Sequence, residues 1–142
     1  MGTPRAVLVR RTTELDELVA HHGTRGQAEF FLRTREQSIE PLVQRHQGTQ
    51  AARQTVLAAV PADWRRAEVE RAELARFVFE PDDVVIVVGQ DGLVANVAKY
   101  LGAQPVIGID PLPGANPGVL VPHPAAATGD LVRDVVAGRA AY

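Results

Sequence analysis

Residues Val84-Val85-Ile86-Val87-Val88 form an unbroken run of five β-branched side chains, the strongest single restriction on the fold of this chain. Such side chains are stiff at χ1 and suit a pleated sheet, and a run without alternation predicts a strand buried on both faces. Strands of that kind belong to parallel sheets covered by helices. The run ends in Gly89-Gln90-Asp91-Gly92, after which Leu93, Val94, Val97, Ala98 and Leu101 fall on one helical stripe. Strand, tight turn and helix put the Asp91 carboxylate at the carboxyl end of a strand, the edge at which open α/β sheets bind ligands. Glycine lets backbone approach a ligand closely, and a helix N-terminus favours phosphate oxygens. An acid among phosphate-friendly backbone repels the anion unless it holds a metal or takes a proton, and that tension points to phosphoryl transfer.

The rest of the chain alternates strand and helix. Ala6–Val9 reads as a first strand, and Thr12 or Thr13 caps a helix through Ala20 that His21-His22-Gly23 stops. Gly26–Glu36 is helical, Pro41 and Gly48 punctuate the next segment, and Ala51–Val60 forms another helix closed by Pro61. Trp64–Arg71 alternates weakly and reads as a second strand, with one or two helical turns around Leu74, Phe77 and Val78 before Pro81. The third strand is Val84–Val88 and its helix Leu93–Leu101. Pro105–Ile109 is a fourth strand and Gly118–Val121 a fifth, joined by the proline-rich loop Asp110–Pro117, and Thr128–Ala137 is the last helix. This order predicts a three-layer α/β/α, Rossmann-like domain with a mainly parallel sheet and right-handed crossovers.

Length and composition narrow the function classes. At 142 residues, 46% of them hydrophobic, the chain suits one compact domain with a sizeable core. A net charge of −2 argues against a general nucleic-acid or anionic-membrane binder. No cysteine is present, so disulfides and thiolate metal sites are excluded, in keeping with a cytoplasmic location. Neither a signal-peptide h-region nor an apolar stretch long enough for a transmembrane helix is expected.

A hydroxyl attacking phosphorus loses its proton as the bond forms, and a positioned carboxylate can accept it. Asp91 is the candidate base; the alternative is an N-cap, a role that Asp fills well. Gly89, Gln90 and Gly92 shape the phosphate turn. Asn96, one turn into the helix, either reaches a ligand hydroxyl or is a half-buried surface amide. Asp110 ends the fourth strand on the same edge, where it shares a ligand with Asp91 or caps its own loop. That loop should form one wall of the crevice. Arg10 and Arg11 follow the first strand on this edge, either meeting a donor phosphate or lying exposed. Asp82 and Asp83, at the other end of the third strand, read as solvated turn residues. His21, His22, His46 and His123 do not have metal-ligand spacing, so no metal site is expected from them. Arg65-Arg66 reads as a solvated face.

The stretch from Asp82 to His123, about a third of the chain, resembles the amino-terminal domain of NAD kinases. Their pattern is a hydrophobic strand, Gly-Gly-Asp-Gly, a helix, a Pro-Val-x-Gly-Ile strand and a glycine-containing loop. Here it is matched by Gly89-Gln90-Asp91-Gly92, by Pro105-Val106-Ile107-Gly108-Ile109, and by Gly114 and Gly118. The wider superfamily takes in 6-phosphofructokinases and diacylglycerol and sphingosine kinases. The resemblance implies that Asp91 activates the 2′-hydroxyl of NAD, with ATP or polyphosphate and Mg2+ as the donor system. Three positions depart from the family: Gln90 replaces a glycine, Leu93 a threonine or serine, and Asp110 an asparagine. Family members continue into a β-rich second domain whose Asn-Glu pair holds the dinucleotide. Residues 1–142 are thus expected to be a single α/β domain without it, needing a second domain or a homo-oligomer to complete the site. The alternatives are a non-catalytic nucleotide-binding or regulatory module, and a lipid or sugar kinase of the same superfamily.

Overall fold

The structure, a computed structural model, describes residues 3–112 and 120–138. Five parallel strands, β1 (Arg5–Arg10), β2 (Arg65–Glu70), β3 (Asp83–Val88), β4 (Val106–Asp110) and β5 (His123–Pro124), form one sheet in the order β2-β1-β3-β4-β5. The helices are α1 (Glu14–His22), α2 (Arg25–Thr34), α3 (Glu40–Ala59), α4 (Asp91–Ala98) and α5 (Thr128–Val136). As the β-branched run predicts, β3 lies at the centre and is buried along its whole length.

Alternate residues of the central strands feed two cores. Leu8, Ile86, Val88, Ile107 and Ile109 pack under α3 and α5, against Ala52, Val56, Val60 and Val132. Val7, Val9, Val85 and Val87 face the opposite layer, against Leu93 and Val97 of α4 and Leu74 of a 3-10 turn, Arg71–Arg76. These are the three layers of a doubly wound, Rossmann-like fold. The connection from β1 to β2 passes over one face, while those from β2 to β3 and β3 to β4 pass over the other. The chain therefore reverses direction between β1 and β3, and a crevice opens outside their carboxyl ends.

The chain departs from the sequence reading in three places. Pro41 and Gly48 do not interrupt anything; both lie within α3, a helix of 20 residues. Pro41 occupies the first turn, where its missing N–H has no helical partner to lose. A helix of that length spans about 30 Å, against about 20 Å for a six-residue strand. Its second half covers the sheet, and its first half overhangs the carboxyl edge. There Val43 and Ile39 join Leu15 of α1 and Leu32 of α2 in a separate small core.

The fifth strand is not Gly118–Val121. Its first two residues lie outside the described ones, Leu120 and Val121 are not in a strand, and the ladder partner of β4 is His123–Pro124. A short edge strand tolerates a proline there. Asp83, finally, is not a solvated turn residue but a strand residue only 1% exposed. Arg5, 78 positions earlier, pairs with it: Nε and Nη2 donate to the two carboxylate oxygens at 2.8 and 2.6 Å. That bond raises the Arg5 pKa above its ordinary value, against the effect of burial.

Candidate functional site

The crevice is real and sits at the switch point. A cleft of about 370 Å³ opens at the carboxyl edge, within the size range of small-molecule sites. Its floor is built from Arg11, Thr12 and Thr13 after β1, from Val88, Gly89, Gln90, Gly92 and Leu93 after β3, and from Pro111 and Leu112 after β4. The overhanging half of α3 adds Leu42, Arg45 and Thr49, α1 adds Glu14 and Glu17, and Arg71 stands at the start of the 3-10 turn after β2.

Each wall has a local cause. Thr13 caps α1 by accepting the Asp16 N–H at 3.2 Å, so the chain turns upward directly after β1. The Thr13 hydroxyl also lies 2.8 Å from Nδ1 of His46, tying α1 to α3. Gly48 sits in mid-helix, where glycine costs about 1 kcal/mol. A Cβ there would run into the Leu112 side chain, so the glycine lets α3 and the loop after β4 meet and close one end of the cleft.

Glu70 organises the opposite end. One carboxylate oxygen accepts the backbone N–H and the hydroxyl of Thr12 at 3.0 and 3.1 Å, and the other accepts the Ala72 N–H at 2.7 Å. Burial acts to raise its pKa, but the bonds from the Thr12 and Ala72 N–H groups and from the Thr12 hydroxyl outweigh it and leave the carboxyl below the ordinary glutamate range. One side chain thus holds the loop after β1 and the turn after β2 together.

The turn after β3 begins α4 as the spacing predicts. Gln90 is the N-cap and offers no side-chain cap bond, so the first turn of the helix keeps the polarity that attracts anions. A Cβ on Gly92 would meet nothing within 4 Å; the backbone there faces open space. Gly89, Gln90 and Gly92 all line the cleft. Asp91 does not. It is the first residue of α4 rather than its cap, and its Oδ1 accepts the Leu120 N–H at 2.9 Å, on the β4 side of the turn. Gly108 secures the same contact, because a Cβ there would strike the Leu120 carbonyl oxygen.

The remaining candidates separate. Asp110 lies on the same edge as Asp91, one strand over, but its Oδ1 accepts the Leu112 N–H at 2.9 Å and it is a loop cap, outside the cleft lining. Most of the wall expected from Asp110–Pro117, with Gly114 and Gly118, falls outside the described residues. Asn96 is half-buried on α4, away from the cleft. Arg10 is paired across β1 and β2 with Glu68, which also accepts from Arg53; the Arg53 bond, then that of Arg10, holds the Glu68 carboxyl low. Arg11 faces the cleft as an ion pair with Glu17 at 3.9 Å, and Arg45 pairs with Glu14 at 3.1 Å. Among the described residues no group of three or more His, Asp or Glu could hold a metal ion, and no helix is long and apolar enough to cross a membrane.

Glu70, Arg71, Arg45 and Thr49 did not stand out in the sequence. The signal for the first two was present, because an acid and an arginine end the weakly alternating strand on the same edge as Asp91. Arg45 and Thr49 were hidden by reading Pro41 and Gly48 as breaks. No protein-family model matches the chain, and no curated protein matches it.

Proposed function

We propose that the chain is a nucleotide-binding phosphotransferase domain similar to the amino-terminal domain of NAD kinases, moving a phosphoryl group from ATP or polyphosphate to the 2′-hydroxyl of NAD. One observation carries this reading. The Gly89-Gln90-Asp91-Gly92 turn opens a helix at the carboxyl end of the central strand, and its Gly89, Gln90 and Gly92 line a cleft at the switch point. The cleft suits a nucleotide: cationic groups and open backbone stand beside an apolar strip of Leu42, Leu93, Pro111 and Leu112.

In the proposed reaction the acceptor oxygen attacks phosphorus as the bond to the donor's leaving oxygen breaks, and the hydroxyl proton passes to the Asp91 carboxylate. Gly92 gives the donor close access to backbone N–H groups at the start of α4. Magnesium, which binds through one or two carboxylates, water and substrate phosphates, would supply charge shielding on the donor, with Asp91 the nearest carboxylate in the turn.

A second reading has its own support. The Asp91 carboxylate holds the Leu120 N–H and is not among the residues lining the cleft, as suits a module that binds nucleotides without transferring phosphate. The test is NADP formation by the chain from NAD with ATP and magnesium, or with polyphosphate, beside Asp91→Asn. The kinase reading expects turnover that Asp91→Asn lowers by at least a hundredfold, within the range for a catalytic base. Nucleotide binding without turnover, even when the β-rich second domain is supplied, selects the module.

A further inference from the structure

Three arginines line the cleft, and they are not equivalent. Arg45 is held by Glu14 and Arg11 by Glu17, both acids of α1 that line the same cleft. An anion approaching either arginine competes with a carboxylate already in place. Arg71 makes no ion pair among the described residues, and its backbone is held in place by its neighbours. The residue before it, Glu70, accepts the N–H of the residue after it and also grips Thr12 on the cleft floor.

Position adds to this. Arg71 follows β2, whereas the Gly89–Gly92 turn follows β3, with β1 between them. Two strand spacings separate their starting points, about 10 Å. A ligand whose phosphates begin at the turn must extend along the edge to reach Arg71. A guanidinium fork on a fixed backbone, with no carboxylate to displace, suits the planar, bidentate grip that phosphate oxygens accept.

We infer that Arg71 is the specificity-determining residue of the cleft, gripping the phosphate group of the ligand that lies farthest from the Gly89–Gly92 turn. This rests on the reading of the cleft as a phosphate-binding site. It adds that the cleft selects ligands carrying an extended chain of phosphates over those with a single one.

The test is calorimetric titration of the chain with tripolyphosphate, with ATP and magnesium, and with AMP, using the wild type, Arg71→Ala, Arg71→Lys and Arg33→Ala. Arg33 is an exposed arginine of α2 and controls for the loss of one positive charge. Arg71→Ala should weaken tripolyphosphate and ATP by about 10- to 100-fold, the span of a charge-assisted hydrogen bond. Arg71→Lys should fall between, and Arg33→Ala should leave affinity unchanged. AMP should bind with equal affinity to wild type and Arg71→Ala. Wild-type affinity for ATP in Arg71→Ala, or an equal loss in Arg33→Ala, overturns the inference while leaving the cleft reading intact. A wild-type chain that binds none of the three ligands overturns both.

Discussion

Asp83→Asn tests the largest departure from the sequence reading. The Asp83 side chain is fully buried and accepts three hydrogen bonds, from Arg5 Nε, Arg5 Nη2 and the Glu80 N–H at 2.7 Å. Asparagine keeps the shape but loses the charge. Its amide nitrogen must then face either the guanidinium or the Glu80 N–H, donor against donor. Breaking a buried ion pair from one side costs about 3–5 kcal/mol. Arg5 keeps three other neighbours, the Val78 carbonyl at 3.1 Å, the Glu80 carboxylate at 3.2 Å and the Phe77 ring 5.2 Å away, so the low end applies, about 3 kcal/mol. Unfolding entropy of about 2.1 cal/mol/K per residue gives about 0.3 kcal/mol/K for 142 residues, so Tm should fall by about 10 °C. Urea titration followed by far-UV circular dichroism and calorimetric melting both read this. The double variant Arg5→Met/Asp83→Leu should regain most of the loss, because it leaves no unpaired charge. A loss under 1 kcal/mol in Asp83→Asn would refute the reasoning and return the pair to the rank of a surface contact.

Two further expectations rest on named contacts. The Glu70 carboxyl has a folded pKa below its unfolded one, so its contribution is present above about pH 4.3 and disappears as pH falls through the folded value. Glu70→Gln should therefore lower stability at pH 7 and flatten the acid limb of the stability curve; an unchanged pH dependence below pH 5 would contradict the clamp. Gly108→Ala should cost about 1–3 kcal/mol, because the nearest atoms, the Leu120 carbonyl oxygen, then its carbon at 2.9 Å and Val121 Cα at 3.0 Å, are backbone that cannot rotate away. Faster hydrogen exchange of the Leu120 amide should accompany it, and a wild-type melt with a protected Leu120 would contradict this packing.

Local signals carried the fold where one face or one period decided the matter. The Val84–Val88 run, the cap at Thr13, and the strand–turn–helix at Gly89–Gly92 all depend on neighbours in sequence. Strand order was not legible, since parallel pairing is set by crossovers rather than by any strand's own residues. The buried Asp83 was invisible for a similar reason: an aspartate beside a turn looks solvated until its partner, Arg5, is known. At Gly48 the breaker signal was correct in energy but outweighed by the approach of Leu112. The candidate site was half legible. The edge argument found Gly89, Gln90, Gly92 and Arg11, yet it grouped Asp91 and Asp110 with them because it fixes where a residue lies and not which way its carboxylate turns.

The central claim, that a nucleotide binds in the cleft between the ends of β1 and β3, is tested most directly by residue-resolved NMR. Backbone amide shifts of the 15N-labelled chain would be followed during titration with ATP and magnesium and, separately, with NAD. Saturable shifts should cluster on Thr12, Thr13, Gly89, Gln90, Gly92 and Arg71, while Asp83 and Val106 at the opposite edge of the sheet stay still. Saturable shifts confined to that opposite edge, or none with either ligand, would contradict the account.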